Sequence, residues 1–354
     1  MRYRAVLSVC LAVLVSGVAG CNTKRQPETL RTIPAAGSSF VFPVMQRWGE
    51  DFFELHRPTQ VMYVADGSVK AVKELAAGKV AFAATDYALT PKQLEQLPPV
   101  IQIPVTSGAI CITYNLHGIK QPLRLSAGTL AGIFLGTVKR WNDPSIAKDN
   151  PGVALPDEAI VVVHRADAAG ATDIFTTYLS AVSPQWAAKV GAGDSVAWPV
   201  GISGEGSAGL TSVVRNSPGT IGFVELNYAQ QNELPVAAVE NRAGQYVQPN
   251  VVSTKAAVEA FAPQLRTNLD TTIVDAPATA AGAYPIAGLS FVIVPRDGTN
   301  LRERVALGKF LSWVLHNGQD TAFHLGYARL PKSLIVYDDA ALRAMTVNGK
   351  PVLP

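Results

Sequence analysis

The apolar positions along the chain alternate between short continuous runs, which are typical of buried strands, and helix-like spacing. Residues 41–55 show the helical spacing, with Val44, Trp48 and Phe52 on one face. The remaining runs predict helices at 68–80, 129–136, 173–179 and 304–316 and strands at 80–84, 101–105, 109–115, 159–163, 220–225 and 289–295. Because strands and helices alternate along the chain, the pattern predicts an α/β architecture.

Two of the predicted strands, 109–115 and 289–295, are long, apolar and about 180 residues apart. Both are candidates for strands on which the chain passes between two lobes. The predicted division places 34–112 and 290–354 in lobe one and 113–289 in lobe two. A single sheet fits the same periodicity.

The first twenty residues have the composition of an export signal. Two arginines precede an apolar run that is short for a membrane span. The run ends in VAGC (18–21), which resembles the bacterial lipobox, where the cysteine is lipidated and becomes the first mature residue. We predict a lipoprotein signal peptide at 1–20, acylation of Cys21 and a polar tether at 21–33. The alternative is an ordinary signal peptide with a chance cysteine.

Composition narrows the classes of protein. Of 354 residues, 16% are charged and 48% hydrophobic, which argues against long disorder. Loss of the signal removes two arginines and no acid, so 28 basic residues face 27 acidic ones and the net charge is +1. A nearly neutral surface does not favour a nucleic-acid partner. Cys111 would be the one free thiol left, and we expect a small buried side chain rather than a disulfide.

Three predicted helix starts carry groups that suit an anion: AAGSSF (35–40), DGS (66–68) and RADAAGAT (165–172). A serine can cap each of the first two helices, Ser38 or Ser39 in one and Ser68 in the other. Free N–H groups and the helix dipole at such starts attract anions, and a guanidinium binds an oxyanion through two hydrogen bonds. Taken one at a time, each of these helix starts is explained by ordinary helix capping. Together they predict an oxyanion site only if the fold brings them together.

Asp86 ends the strand predicted at 80–84 and is either a turn cap or a selective acceptor. A carboxylate near a bound anion repels it unless the anion has a proton to donate. Hydrogen phosphate carries such a proton and sulfate does not. A carboxylate that only accepts would therefore select phosphate by rejecting sulfate.

Other motifs are weak. GEGSAG (204–209) has the GxGxxG spacing with Glu225 about 20 residues later, but it follows a poor strand, and a glycine-rich loop before a helix explains it. The chain has no GxSxG or CxxC motif. The histidines show no metal-ligand spacing: His56, His117, His164, His316 and His324. We therefore predict no catalytic residue, metal or cofactor.

Several segments together resemble the phosphate-binding protein of the bacterial phosphate-specific ABC importer, over nearly all of the mature chain. The similar segments are AAGSSFVFPVMQRWGEDF, AAGKVAFAATDYALT, TLAGIFLGTVKRWNDPSIAKDNPGVALP, RADAAGATDIFTTYL and PGTIGFVELNYAQQN. The resemblance implies a two-lobe periplasmic binding protein, type II-like, with an anion held in the cleft. It also implies a monomeric subunit that partners a permease and ATPase complex and meets the membrane only through its lipid.

The resemblance also implies a ligand set. By motif, phosphate would contact Ser39, Phe40, Ser68, Asp86, Arg165, Ala169, Gly170 and Ala171, with Asp167 orienting the arginine. The family signature has serine and threonine where this chain has Ala169 and Ala171, so two side-chain donors are missing. Thr172 could substitute only if the turn shifts.

Three hypotheses follow. The first is an exported phosphate-binding protein that serves an ABC importer. The second, motivated by the two alanines, is a related protein that binds another oxyanion, or binds phosphate weakly for sensing or a surface role. The third is a secreted phosphatase that uses the serines at the helix starts, although these lack a base or metal cluster.

Overall fold

The computed structural model describes residues 30–119 and 121–353. The strands are β1 (Arg31–Gly37), β2 (Thr59–Val64), β3 (Phe82–Thr85), β4 (Val100–Tyr114), β5 (Arg124–Leu125), β6 (Val161–Arg165), β7 (Ile202–Gly204), β8 (Thr220–Glu225), β9 (Ala238–Glu240), β10 (Tyr246–Val247), β11 (Ala287–Pro295), β12 (Thr346–Val347) and β13 (Lys350–Pro351). The helices are α1 (Phe42–Leu55), α2 (Ser68–Ala76), α3 (Pro91–Leu94), α4 (Ala127–Leu135), α5 (Pro144–Asp149), α6 (Gly170–Val182), α7 (Pro184–Lys189), α8 (Gly206–Asn216), α9 (Leu226–Gln231), α10 (Val251–Leu265), α11 (Leu301–His316), α12 (Gly318–His324) and α13 (Lys332–Leu342).

Across the described residues, eight strands form the principal sheet in the order β2-β1-β3-β11-β4-β8-β6-β7. The strands β2, β1 and β3 are parallel to one another, as are β8, β6 and β7. The two parallel groups are joined through β11 and β4, which pair antiparallel to their neighbours. The sheet therefore consists of two α/β halves with a shared centre.

The central strand β4 connects the halves. Its first part, from Val100 to Ala109, pairs with β11, and its last part, from Ile110 to Tyr114, pairs with β8. The sequence predicted two strands here, at 101–105 and 109–115, so that detail was wrong. The polar residues Thr106 and Ser107 stay in the strand because both hydroxyls donate to the carbonyl of Ala328. The lobe boundaries at 112/113 and 289/290 remain a prediction.

Helix α1 confirms the hydrophobic pattern, since Val44, Trp48 and Phe52 are all buried. Gly136 ends α4 in the left-handed conformation at φ 76°, as its position after an apolar run predicts. Cys111 is a free, fully buried thiol within the described chain. Between residues 30 and 353, apart from residue 120, no helix is long and apolar enough to cross a membrane.

Candidate anion-binding site

The segment after β1 is held by Ser38, which is buried between two partners. Its hydroxyl donates to Asp86 Oδ2 and accepts the backbone N–H of Phe40 at 2.9 Å. The capping prediction for Ser38 or Ser39 was therefore wrong: the residue before α1 is Val41, and no side chain caps that helix. A buried carboxylate is the stronger acceptor for the Ser38 hydroxyl. Phe40 was expected to contact phosphate, but its backbone N–H is engaged by Ser38.

Helix α2 begins at Ser68 and follows Gly67, whose φ of 94° suits glycine. The Gly67 N–H donates to the carbonyl of Gly37 at 3.0 Å, which ties this helix start to the end of β1. Ser68 does not cap the helix, contrary to the prediction, since its hydroxyl is buried and has no partner among the described residues. An unpaired buried hydroxyl is available to a ligand.

Asp86 lies at the carboxyl end of β3 and is 4% exposed. Oδ1 accepts the hydroxyl of Ser290 at 2.9 Å, and Oδ2 accepts that of Ser38. The pKa of Asp86 is raised to about 7, chiefly by burial and also by the charge of Glu225, against the lowering effect of both serine hydroxyls. The carboxyl group is therefore close to half ionised near neutral pH.

Arg165 ends β6 and is 4% exposed. It donates from Nε to Asp167 Oδ1 at 2.8 Å and from Nη2 to Asp167 Oδ2 at 2.5 Å. Nη1 donates to Ser207 Oγ at 3.0 Å, and Nη2 reaches Ser39 Oγ, in the other half of the sheet, at 3.5 Å. Of the five N–H groups of the guanidinium, one on Nη1 stays free of these contacts and the one toward Ser39 is weakly engaged.

Two carboxylates offset the charge of Arg165. The hydroxyl of Ser207 donates to Glu225 Oε1 at 2.8 Å, and that oxygen is 4.0 Å from Arg165 Nη1. Burial opposes ionisation of the guanidinium, but the hydrogen bond to Asp167 and the charge of Glu225 raise the pKa of Arg165 above its ordinary value. The pKa of Asp167 is lowered because the hydrogen bonds and charge of Arg165 outweigh its burial.

Helix α6 starts at Gly170 directly against Asp86. A side chain at Gly170 would overlap the Asp86 carboxyl group, so only glycine permits this approach. Ala169 is the N-cap residue and makes no side-chain cap, and its own N–H donates to the carbonyl of Asp194 at 2.9 Å. The N–H groups of Gly170 and Ala171 lie in the first turn, where a helix provides no internal partner.

The structure thus brings most of the predicted residues together. Ser39 meets Arg165, Gly170 meets Asp86, and Ser68 lines one cleft with Ala169 and Gly170. Thr172 is 1% exposed and is not among the residues that line this cleft, so the structure does not place it as a substitute donor.

Three neighbours of the site were missed from the sequence: Ser207, Glu225 and Ser290. GEGSAG was interpreted as a loop before a helix, but Gly204 ends β7 and α8 already begins at Gly206, so most of the motif is the first turn of the helix. The Gly206 N–H donates to Asp167 Oδ1 at 2.9 Å. The glycine-serine pair at a helix start is the same signal that marked the first two segments. For Ser290, the available signal was a polar residue inside the apolar run of β11.

The sequence of this chain is similar to those of known proteins. The sequence profile of the PBP superfamily domain matches residues 22–317. The chain is 35% identical over 347 residues to the phosphate-binding protein PstS of Xylella fastidiosa, covering 93% of this chain and 94% of that protein. It is 36% identical over 361 residues to PstS of Methanocaldococcus jannaschii, covering 93% and 92%.

Solved structures show the same fold. The phosphate-binding protein from Stenotrophomonas maltophilia matches with a TM-score of 0.67 at 20% identity, covering 90% of this chain and 96% of that one. A periplasmic phosphate-binding protein, PfluDING, matches with the same TM-score and identity over 87% of this chain and 93% of that chain. The predicted two-lobe α/β fold class is confirmed.

Proposed function

Because this chain belongs to the PstS family of phosphate-binding proteins within the PBP superfamily, we propose that it captures inorganic phosphate between its two lobes and delivers it to an ABC importer. The contact of Arg165 with Ser39 across the cleft, beside the buried Asp86, carries this proposal. Arg165 provides a cation from one half of the sheet, and Ser39 and Asp86 provide a hydroxyl and an acceptor from the other half. Closure of the lobes around the anion would give the form that a permease recognises.

The donors available to phosphate come from both halves. Arg165 retains two N–H groups that are free or weakly engaged, and the start of α6 offers the N–H groups of Gly170 and Ala171. Ser39 and Ser68 add hydroxyls on the opposite side. Charge-assisted hydrogen bonds of this kind are short and strong, and their directions suit a tetrahedral anion.

Asp86 would accept the proton of hydrogen phosphate. Each carboxylate oxygen can accept two hydrogen bonds, and the serines use one on each, so capacity remains for the ligand. Asp167 and Glu225 hold Arg165 and offset its charge. A fully deprotonated dianion would meet this excess of carboxylates without a proton to share, whereas hydrogen phosphate can donate one.

Titration calorimetry of phosphate into the chain that starts at Asn22, stripped of ligand, tests the proposal. Ala169→Ser/Ala171→Thr restores the family hydroxyls, and Ala168→Ser adds one hydroxyl beside them as the matched control. We expect saturable binding by the natural chain. The double variant should bind at least about a hundredfold more tightly, since each of its two hydroxyls can add a hydrogen bond to a charged group, which contributes about 1.5–3 kcal/mol. Absence of saturable phosphate binding by the natural chain would refute the proposal, and binding that only the double variant shows would mean that the fold is kept while the phosphate task is relaxed or replaced.

The two alanines also favour a second candidate, a protein of the same family that binds another oxyanion or serves in sensing or at a surface. Competition among phosphate, arsenate, sulfate and molybdate separates the two. Preference for phosphate and arsenate supports the first candidate, because both can donate a proton to Asp86. Tighter binding of sulfate or molybdate supports the second.

We further propose that residues 1–20 direct export, that Cys21 is acylated and that the mature protein is a monomeric subunit in the periplasm. The VAGC sequence before the tether supports the lipid attachment. The pairing of β4 with both halves supports lobes made of 34–112 with 290–354 and of 113–289. Labelling with radioactive palmitate tests the anchor: incorporation should be lost in Cys21→Ala.

The chain's relatives are transport proteins that bind phosphate, and no family of enzymes is indicated. We propose that the ligand leaves the cleft chemically unchanged. Among the described residues, Ser39 Oγ contacts only the guanidinium of Arg165 and Ser68 Oγ has no hydrogen-bond partner, so neither of these serines is paired with a base that could activate it. Hydrolysis of p-nitrophenyl phosphate that disappears in Ser39→Ala or Ser68→Ala would contradict this.

A further inference from the structure

A groove with a basic rim lies at the end of lobe one where the tether enters the fold. Among the described residues that line it are Arg31, His56, Arg57, Arg302 and Lys309, and none of the lining residues is acidic. The groove measures about 590 Å³, and its floor is formed by apolar side chains of α1 and α11. We call this surface the basic groove.

Exposed leucines border the same groove. Leu55 lines it, and Leu30 and Leu301 each precede a residue that lines it. Their exposed fractions are 66%, 53% and 56%, and they are the only leucines among the exposed large hydrophobic residues of the described chain. Basic side chains next to exposed leucines form the pattern of a surface that rests in a lipid interface, where anionic headgroups meet the cations and the apolar side chains enter the acyl boundary.

Nearby acids reduce the charge of this surface without cancelling it. Glu54 pairs with Arg57 at 2.7 Å, and both side chains are more than 60% exposed. Glu303 follows Arg302 in α11 but does not line the groove. The arginines and the lysine of the basic groove provide four positive charges, against the two negative charges of Glu54 and Glu303, so the surface keeps a net positive charge.

The position of the groove in the fold agrees with this role. Arg31 opens β1 in the groove, and Gly37 closes β1 beside the anion site. Six residue steps of strand separate them, about 20 Å. A membrane under the groove would therefore leave the cleft on the far side, open to phosphate and to closure. Cys21 and Leu30 are nine residues apart, which limits their separation to about 30 Å in any conformation.

We propose that the basic groove and its leucines dock on an anionic phospholipid surface and hold the protein there while its cleft, facing away from the membrane, captures phosphate. Delivery to the permease then requires release from this surface. The biological setting rests on the lipid attachment at Cys21 proposed above. The surface itself acts without the lipid, as a weak second contact that fixes orientation.

Vesicle flotation of the chain that starts at Asn22, which retains every described residue, tests the proposal without the acyl anchor. Vesicles of phosphatidylcholine and phosphatidylglycerol in equal parts should bind it, vesicles of phosphatidylcholine alone should not, and added salt should weaken binding. Arg302→Gln/Lys309→Gln should lower partitioning about 25-fold, since one cation near an anionic surface is worth about fivefold. Lys148→Gln/Lys189→Gln carries the same change in net charge in lobe two and should change it less than about twofold.

Equal losses in the two double variants, or no preference for phosphatidylglycerol, would overturn the proposal. A second measurement reads orientation directly. A polarity-sensitive fluorophore at Leu55→Cys should shift its emission on anionic vesicles, whereas one at Lys148→Cys should not, and the buried Cys111 stays unlabelled. Phosphate titration of the same preparations separates failure of this docking surface from failure of the proposed function.

Discussion

The buried carboxyl group of Asp86 leads to a prediction about sulfate. The ionised carboxylate of Asp86 would exclude sulfate because sulfate has no proton to donate to it. Sulfate should then bind only the form of the protein in which Asp86 is protonated. Burial raises the pKa of this group to about 7. The protonated fraction is then about 0.9 at pH 6 and about 0.1 at pH 8, and apparent affinity scales with the competent fraction.

We therefore expect sulfate affinity to fall about tenfold between pH 6 and pH 8. Sulfate is the better probe because it stays a dianion in this range, whereas phosphate itself titrates. Asp86→Asn replaces the carboxyl group with an amide that donates at every pH. In that variant sulfate affinity should be independent of pH and at least equal to that of the natural chain at pH 6. Titration calorimetry at several pH values measures both.

The same variant tests the pKa without any ligand. The pKa of Asp86 is higher in the folded chain than its ordinary 3.8, so unfolding releases a proton between about pH 4 and pH 7. Stability should fall as pH rises through this window and become flat above it. The difference of about 3 pKa units corresponds to about 4 kcal/mol. In urea unfolding, the free energy of unfolding of Asp86→Asn should therefore fall less with rising pH than that of the natural chain.

Two results would refute the reasoning. Sulfate affinity that is constant from pH 6 to pH 8 in the natural chain would show that ionisation of Asp86 does not control the anion. An identical pH slope in Asp86→Asn would assign the dependence to another group, such as Asp173, whose pKa burial and the charge of Asp194 raise to about 6.

Further predictions concern the residues around the site. Ser207→Ala removes the acceptor for Arg165 Nη1 and should weaken phosphate binding about tenfold in calorimetry; unchanged affinity would show that Asp167 alone holds the guanidinium. Gly170→Ala places a methyl group on the Asp86 carboxyl group, so phosphate affinity should fall at least a hundredfold. The unfolding free energy should change by less than about 1 kcal/mol, because the lobes can separate. Ala169→Ser should add about 1 kcal/mol to stability in urea unfolding of ligand-free protein, since it supplies the missing cap of α6.

Local signals in the sequence predicted much of the fold. The face of Val44, Trp48 and Phe52 follows from helical periodicity, and the end of α4 follows from the freedom of Gly136 to adopt positive φ. Both depend on interactions within a few residues, and therefore the sequence alone is enough to predict them.

The failures came where a distant group competed with a local one. Ser38 has the sequence context of a helix cap, but its hydroxyl binds the carboxylate of Asp86, 48 residues away. The break predicted at Thr106 and Ser107 is a continuous strand, because the carbonyl of Ala328, more than 220 residues later, accepts both hydroxyls. Periodicity contains no information about such partners.

By itself, the sequence determined the α/β class, the family resemblance and the chemical types needed for an oxyanion, including Arg165 and Asp86. Only the tertiary structure showed which of these groups meet, and that Ser207, Glu225 and Ser290 support them. The site depends on contacts such as Arg165 to Ser39, 126 residues apart, and Ser290 to Asp86, 204 residues apart. The type of a side chain is a local property, whereas its hydrogen-bond partner is decided by where the sheet brings distant strands together.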